Sequence, residues 1–206
     1  MSCEQDLGIH LDNKLTFEQH LQAKINKANS VMGIIRRTYT YLDESSFLML
    51  YKALVRPHVE YANQIWSPYL KKDINSIENV QRRATKQIAG MQNLTYEERL
   101  RKLKLPTLAY RRLRGDMIET YKILTEKYDR QACEGFFELN TTSTRGHNLK
   151  LAKRHCKTNV RKYSFTFRVI DTWNSLPQQV VSAPSVKTFE SKLDQHWATL
   201  PLKYVY

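Results

Sequence analysis

Apolar residues recur every three or four positions along most of this 206-residue chain, which is the spacing of one face of an α-helix. The longest case runs from Phe17 to Ile35, with steps of four, four, three, four and three residues. The alternation typical of a strand occurs at residues 7–11, which are followed by turn-forming residues and have no visible partner strand. The spacing therefore predicts a mainly α fold, a helical bundle preceded by a short β-strand remnant.

Helix start and stop signals divide this periodic sequence into separate helices. Capping boxes at Thr16 and Thr95 predict two helix N-termini. Further N-caps are predicted at Asp43, Asp73 and Ser185. Pro57 interrupts one apolar stripe and predicts a kink or a restart at that point.

The helical periodicity fades between residues 129 and 162 and returns in two segments, one over 164–176 and one from Ser185. Polar and turn-forming residues over 140–148 predict a basic loop before those segments. We therefore divide the chain into a strand remnant at 1–14, a helical bundle at 15–128, and a basic loop with a small helical C-terminal region at 129–206.

Positive charge is concentrated in the second part of the chain. Lys and Arg number 33 against 20 Asp and Glu, which gives a net charge of +13. Residues 1–80 hold nine basic and nine acidic side chains, whereas residues 81–206 hold 24 and 11. This distribution indicates a polyanion such as nucleic acid as the first partner to consider, with general solubility as the alternative.

The basic residues that could contact phosphates form three groups. Two groups lie on predicted helices: Arg82, Arg83 and Lys86 on one, Arg111 and Arg112 on the next long one. The third group lies in the stretch from Arg145 to Lys162, which contains no Asp or Glu, and comprises Arg145, Lys150, Lys153, Arg154, Lys157, Arg161 and Lys162. Because arginine also favours the solvated face of a helix, the third group is the stronger candidate.

No local pattern indicates catalysis or metal binding. The chain lacks a Gly-rich phosphate loop, a Gly-x-Ser-x-Gly and a His-Glu-x-x-His, and it has no Asp-Asp pair for two-metal nucleotidyl transfer. The nearest zinc candidates are Cys133, His147, His155 and Cys156, but the adjacent His155 and Cys156 are poorly spaced to chelate one ion. We therefore predict no catalytic residue, no metal and no cofactor.

The cysteine content and the hydropathy indicate a compartment. Three widely separated cysteines fit reduced thiols better than a disulfide framework. No apolar run approaches the ~18–20 residues of a membrane span, and the first residues lack a signal-peptide pattern. The expected location is nuclear or cytoplasmic, without a membrane partner.

Short segments spread over nearly the whole chain form an ordered series. In the first half they are Asp6-Leu7-Gly8-Ile9, Leu15-Thr16-Phe17, His20, Leu50-Tyr51-Lys52, Val55-Arg56-Pro57, Glu60-Tyr61-Ala62, Trp66-Ser67-Pro68, Ile77-Glu78 and Val80-Gln81-Arg82-Arg83-Ala84. In the second half they are Tyr96-Glu97-Glu98-Arg99-Leu100, Leu103 to Leu105, Arg111-Arg112, Asp116, Tyr121-Lys122, Thr144-Arg145-Gly146-His147, Arg168-Val169-Ile170, Trp173-Asn174, Leu176-Pro177, Ser185-Val186 and Phe189. Together they resemble the region just downstream of the catalytic palm in reverse transcriptases of jockey-like, LINE-type non-LTR retrotransposons.

The resemblance implies that residues 1–14 are the last strand hairpin of a polymerase palm, that the next helices form the thumb, and that the remainder is the family's C-terminal helical and basic region. Such a thumb would hold the primer-template duplex, RNA and DNA alike, through phosphate and minor-groove contacts without reading sequence. The metal-binding aspartates of the palm, including a Tyr/Phe-x-Asp-Asp motif, are not in this sequence, and neither is the endonuclease. We therefore expect a fragment that lacks its palm domain and is inactive as a polymerase in isolation.

A second hypothesis is a helical protein-interaction or structural module derived from a retroelement. Salt separates the two hypotheses. Binding to duplex DNA weakens with salt by a log–log slope of about 0.9 for each neutralised phosphate, whereas an apolar interface lacks this dependence.

Overall fold

The computed structural model describes residues 3–141, 146–198 and 203–204. Helix accounts for 61% of the chain and strand for 5%, so the prediction of a mainly α fold with a short N-terminal β element is confirmed. The described residues form two compact units, one within Met1–Arg112 that also includes Tyr204, and one within Leu113–Lys203.

The β element is an antiparallel hairpin of two strands, β1 (Cys3–Asp6) and β2 (Ile9–Asp12), in which residues 3–6 pair in order with residues 12–9. The prediction of a lone strand over residues 7–11 is wrong, because Leu7 and Gly8 form the turn of this hairpin. Both turn residues have positive φ, 43° and 79°, as two-residue hairpin loops require. Apolar alternation does not reveal the partner strand, because the sequence Cys-Glu-Gln-Asp does not alternate between apolar and polar residues.

Six helices and the start of a seventh follow in the first unit. They are α1 (Glu18–Thr38), α2 (Glu44–Leu50), α3 (Arg56–Glu60), α4 (Asn63–Trp66), α5 (Lys71–Lys86), α6 (Tyr96–Leu103) and the first residues of α7 (Leu108–Leu124), as far as these lie in the described residues. α1 packs against β2, α3 and α5. Its predicted apolar face is buried at Ala28, Met32 and Ile35, so the spacing located this face correctly.

The start of α1 differs from the prediction. Instead of capping the helix, Thr16 donates hydrogen bonds from its hydroxyl and its N–H to the Asp12 carboxylate, at 3.0 and 3.1 Å. The N–H of Phe17 donates to the same carboxylate at 2.7 Å. α1 then begins at Glu18, after Phe17 in a left-handed conformation with φ 57°. An aspartate at the end of β2 therefore organises this junction, in place of the predicted capping box.

The other predicted helix starts have mixed outcomes. Three N-caps are confirmed by hydrogen bonds that their side-chain oxygens accept from helix N–H groups: Asp43, Thr95 and Ser185. The N-cap at Asp73 is wrong, because α5 already begins at Lys71. Asp73 lies instead in the first turn, where the helix dipole favours a carboxylate.

The predicted interruption at Pro57 takes the form of a widened turn. The five residues Tyr51–Val55 between α2 and α3 are π-helical, and the N–H of Arg56 donates to the Tyr51 carbonyl five residues earlier. Pro57, which has no N–H, follows directly, so the helix changes its hydrogen-bond pattern here without ending.

The second unit contains the rest of α7 and several short helices. They are α8 (Arg130–Cys133), α9 (Asn159–Tyr163), α10 (Phe165–Arg168), α11 (Ile170–Asn174), α12 (Gln178–Val181) and α13 (Val186–Trp197). The single helix predicted over 164–176 is thus divided into α10 and α11. Three buried aromatic rings stack in its core, with Phe189 4.3 Å from Tyr121 and 5.9 Å from Trp173 between ring centroids. Arg168 binds Asp116 through two hydrogen bonds of 2.9 Å.

A buried histidine lies where the hairpin meets α1. His20 is 0% exposed, its Nδ1 accepts a hydrogen bond from the N–H of His10 at 3.2 Å, and its ring centroid is 5.4 Å from that of Trp66. Burial lowers the pKa of His20 to about 4, and the charges of Lys24 and His10 act in the same direction. His20 is therefore neutral at pH 7.

Protonation of His20 should destabilise the protein as the pH falls. The pKa is 6.5 for the ordinary imidazole and about 4 in the folded chain, so the unfolded chain binds more protons between these values. Stability is therefore lost from pH 6.5 downward, by at most about 3 kcal/mol at pH 4. Urea unfolding at several pH values measures this loss. In the variant His20→Gln, the free energy of unfolding should fall less steeply between pH 6.5 and pH 4 than in the wild type. An equal pH dependence in both proteins would refute the expectation.

Candidate nucleic-acid interface

The predicted cations of α5 fall into two kinds. Arg83 and Lys86 are exposed. Arg82 is half-buried, because its guanidinium lies 4.9 Å from the centroid of the Tyr96 ring and donates to the Asn79 side chain at 3.3 Å. Arg82 therefore links α5 to α6, and Arg83 and Lys86 are the members of this group that solvent reaches.

Arg111 and Arg112 have structural contacts. The Arg111 guanidinium binds the Glu60 carboxylate in a bidentate pair, with one of its two hydrogen bonds at 3.0 Å. Arg112 is 5% exposed and lies near the buried carboxylate of Glu78. Their positions give no support to the prediction that they contact phosphates.

Glu78 is the centre of a buried polar network. It accepts hydrogen bonds from the Tyr96 hydroxyl at 2.5 Å and from the N–H groups of Leu108 and Ala109 at 3.2 and 3.3 Å. Gln81, one turn later on α5, donates to the Tyr96 hydroxyl at 3.1 Å. Burial raises the pKa of Glu78, and these donors oppose that effect. Because Glu78 accepts from the first N–H groups of α7, this network joins α5, α6 and α7.

The predicted basic loop is fastened to α11. The Trp173 ring N–H donates to the Leu149 carbonyl at 2.8 Å, and the Asn174 amide exchanges two hydrogen bonds with the Leu151 backbone, at 2.8 and 2.9 Å. The buried His147 ring lies 3.0 Å from the Trp173 carbonyl through Nε2. Residues 147–151 are therefore bound to α11 by hydrogen bonds.

Several cations of the third basic group, between Arg145 and Lys162, either bind acidic side chains or are only partly exposed. Lys153 binds Asp171 at 2.5 and 2.7 Å, and Arg154 binds Glu138 in a bidentate pair. Lys150 is half-buried. The predicted site residue Arg145 lies outside the described residues.

Three exposed cations in α9 and just before it form a group that we name the α9 cation cluster: Lys157, Arg161 and Lys162. All three are exposed, and none forms an ion pair among the residues that the structure describes. The Arg161 guanidinium lies 5.0 Å from the centroid of the Phe167 ring, and the Lys162 ammonium lies 5.4 Å from that of Tyr163. These contacts are weakly favourable for Arg161 and Lys162, and the exposed charges remain accessible to an anion.

A second run of cations and aromatics was not singled out from the sequence. Arg36 and Arg37 lie in the last turn of α1, and Tyr39 and Tyr41 follow before α2. All four are exposed, Tyr39 by 45% and Tyr41 by 74%. We name residues 36–41 the Arg-Tyr segment. In the sequence, this segment is the run Arg-Arg-Thr-Tyr-Thr-Tyr. A search for helical periodicity does not detect it, because periodicity identifies the buried faces of helices and these residues are exposed.

The described residues contain no cluster of three or more His, Cys, Asp or Glu side chains that could hold a metal ion. The zinc candidates Cys133, His147, His155 and Cys156 thus do not form such a group. In the same part of the chain, no helix is both long and apolar enough to cross a membrane.

Comparisons with known proteins show a similar chain but no matching family. No family model matches the chain, and no solved structure matches it. The chain is similar to the uncharacterized protein B0403.1 of Caenorhabditis elegans, with 25% identity over 126 residues. The match covers 60% of this chain and 64% of that protein, so the chain spans less than two thirds of its relative's length.

Proposed function

We propose that this chain is a nucleic-acid-binding part of the RNA-directed DNA polymerase of a non-LTR retrotransposon, which holds a primer-template duplex and is not catalytic alone. The observation that carries the proposal is the α9 cation cluster, three exposed cations in the part of the sequence that holds all of the net positive charge. The polymerase would require a palm domain in addition to the described fold. Its place of action is the nucleus or the cytoplasm.

The contacts made by the residues that carry the family resemblance support the proposed polymerase origin. Several of the residues that carry the resemblance make polar contacts within each unit, among them Glu78, Arg111 and Trp173. An ordered series of residues that bind one another is what a shared fold would retain.

The exposed positive charges of the α9 cation cluster fit the phosphate groups of a nucleic acid. Lys157, Arg161 and Lys162 can neutralise phosphates of either RNA or DNA, since the sugar and the base are not involved. Lys153 and Arg154 add less, because Asp171 and Glu138 already neutralise them. Arg83 and Lys86 on α5 provide a further candidate contact in the first unit.

Replacing Lys157, Arg161 and Lys162 together with Ala should weaken binding to RNA and DNA about equally across sequences. The slope of log affinity against log salt should fall by about 0.9 for each phosphate of duplex DNA that the variant no longer neutralises. Fluorescence anisotropy with labelled duplexes at several salt concentrations measures both effects. Circular dichroism should be unchanged because the three side chains are exposed.

The matched control removes three exposed lysines from the first unit, in the variant Lys14→Ala, Lys52→Ala and Lys71→Ala. It changes the net charge equally, so any difference between the two triple variants reports position and not total charge. If both variants weaken binding by the same amount, the α9 cation cluster is not the site. If the wild type binds no nucleic acid at low salt, the proposed function is wrong and a protein-interaction module becomes the better hypothesis.

A further inference from the structure

We propose that the Arg-Tyr segment binds single-stranded nucleic acid, with unpaired bases stacked on Tyr39 and Tyr41 and phosphates contacting Arg36 and Arg37. The inference rests on the proposed function for the class of ligand. It concerns a different surface, in the first unit, and adds a preference for unpaired strands.

The two tyrosine rings are open to solvent. Among the described residues, neither Tyr39 nor Tyr41 forms a ring contact or a side-chain hydrogen bond. Other exposed tyrosines are engaged: the Tyr61 hydroxyl donates to the Leu7 carbonyl at 3.1 Å, and the Tyr128 ring lies 5.9 Å from the Lys122 ammonium. An uncovered ring offers its face to a base, and stacking of this kind tolerates any sequence.

The positive charges of Arg36 and Arg37, beside the tyrosine rings, are accessible to an anion. Arg36 and Arg37 are exposed and form no ion pair within the described part of the chain. The next acidic residues are already occupied, because Asp43 accepts the N–H groups that begin α2 and Glu44 binds Lys102 at 2.8 Å. The segment therefore combines cations for the backbone with rings for the bases, the combination that binds single strands.

The segment is also held in position. The Tyr39 N–H donates to the Ile35 carbonyl at 2.9 Å, which fixes its start to α1. Leu42, which follows Tyr41, is 8% exposed and belongs to the hydrophobic core. With both ends anchored, little ordering is needed when a strand binds. A duplex keeps its bases stacked and cannot present them to these rings, so the preference for single strands follows.

The test uses the full chain, with labelled oligouridylate, oligothymidylate and a duplex of the same length in fluorescence anisotropy. Tyr39→Ala with Tyr41→Ala should weaken binding to both single strands at least about fivefold for each stacking ring removed, and leave duplex binding unchanged. Tyr39→Phe with Tyr41→Phe should retain single-strand binding, because the rings remain. Arg36→Ala with Arg37→Ala should weaken single-strand binding and lower its salt slope.

The control variant is Tyr128→Ala, which removes an exposed tyrosine of the second unit and should leave single-strand binding unchanged. If the phenylalanine pair binds as weakly as the alanine pair, or if single-strand affinity survives the alanine substitutions, the segment is not a stacking site. If the wild type binds duplex but no single strand, this inference fails and the proposed function stands. If it binds neither, both fail.

Discussion

Replacing Trp66 with Ala should lower the free energy of unfolding by about 3–5 kcal/mol. The side chain is 1% exposed and packs in the core of the first unit, with its ring beside that of His20. Its ring N–H donates to the Tyr61 carbonyl at 2.7 Å. Truncation removes a large apolar volume, leaves a cavity and deprives that carbonyl of its donor, and the three effects act in the same direction.

Urea unfolding followed by circular dichroism measures this loss. Trp66→Phe should lose less stability than Trp66→Ala, because it keeps an aromatic ring and most of the side-chain volume, although it also removes the hydrogen bond. The neighbouring Ile65, which is 55% exposed, supplies the surface control, and Ile65→Ala should change stability by less than about 0.5 kcal/mol. A loss below about 1 kcal/mol for Trp66→Ala would contradict its role in the core.

The contrast between Trp66 and Ile65 shows what the sequence could predict of the fold. Both lie on one apolar stripe if the helix from α3 continues. The helix ends at Glu60, because Tyr61 has a non-helical ψ of 127° and Ala62 is left-handed with φ 52°, and α4 then starts anew at Asn63. Trp66 is buried and Ile65 is not. Periodicity succeeds along unbroken helices such as α1, and it fails where residues with non-helical backbone angles interrupt the helix.

The candidate site could be predicted only in part, because the acidic partners of its arginines are distant in the sequence. The sequence shows which residues are cations but not where their partners lie. Arg111 meets Glu60, 51 residues earlier, and Arg154 meets Glu138, 16 residues earlier. Only the folded chain distinguishes these paired arginines from Arg161. The density of basic residues therefore indicated a candidate segment without ranking its members.

Glu78→Ala should also lower the free energy of unfolding by about 3–5 kcal/mol. Without this carboxylate, the Tyr96 hydroxyl and the N–H groups of Leu108 and Ala109 lose their acceptor inside the protein. The charge of the buried Arg112 loses its nearby counter-charge at the same time. Unsatisfied buried donors cost more than the hydrogen bonds contribute when they are formed, so the effect should exceed that of an exposed carboxylate many times over.

Two measurements locate this loss. Urea unfolding gives its size, and hydrogen exchange should show faster exchange at the amides of Leu108 and Ala109, the groups that Glu78 binds at the start of α7. Glu4→Ala, which removes an exposed carboxylate from β1, is the control and should change stability by less than about 0.5 kcal/mol. If Glu78→Ala unfolds like the wild type and both amides keep their protection, the Glu78 carboxylate does not stabilise the start of α7.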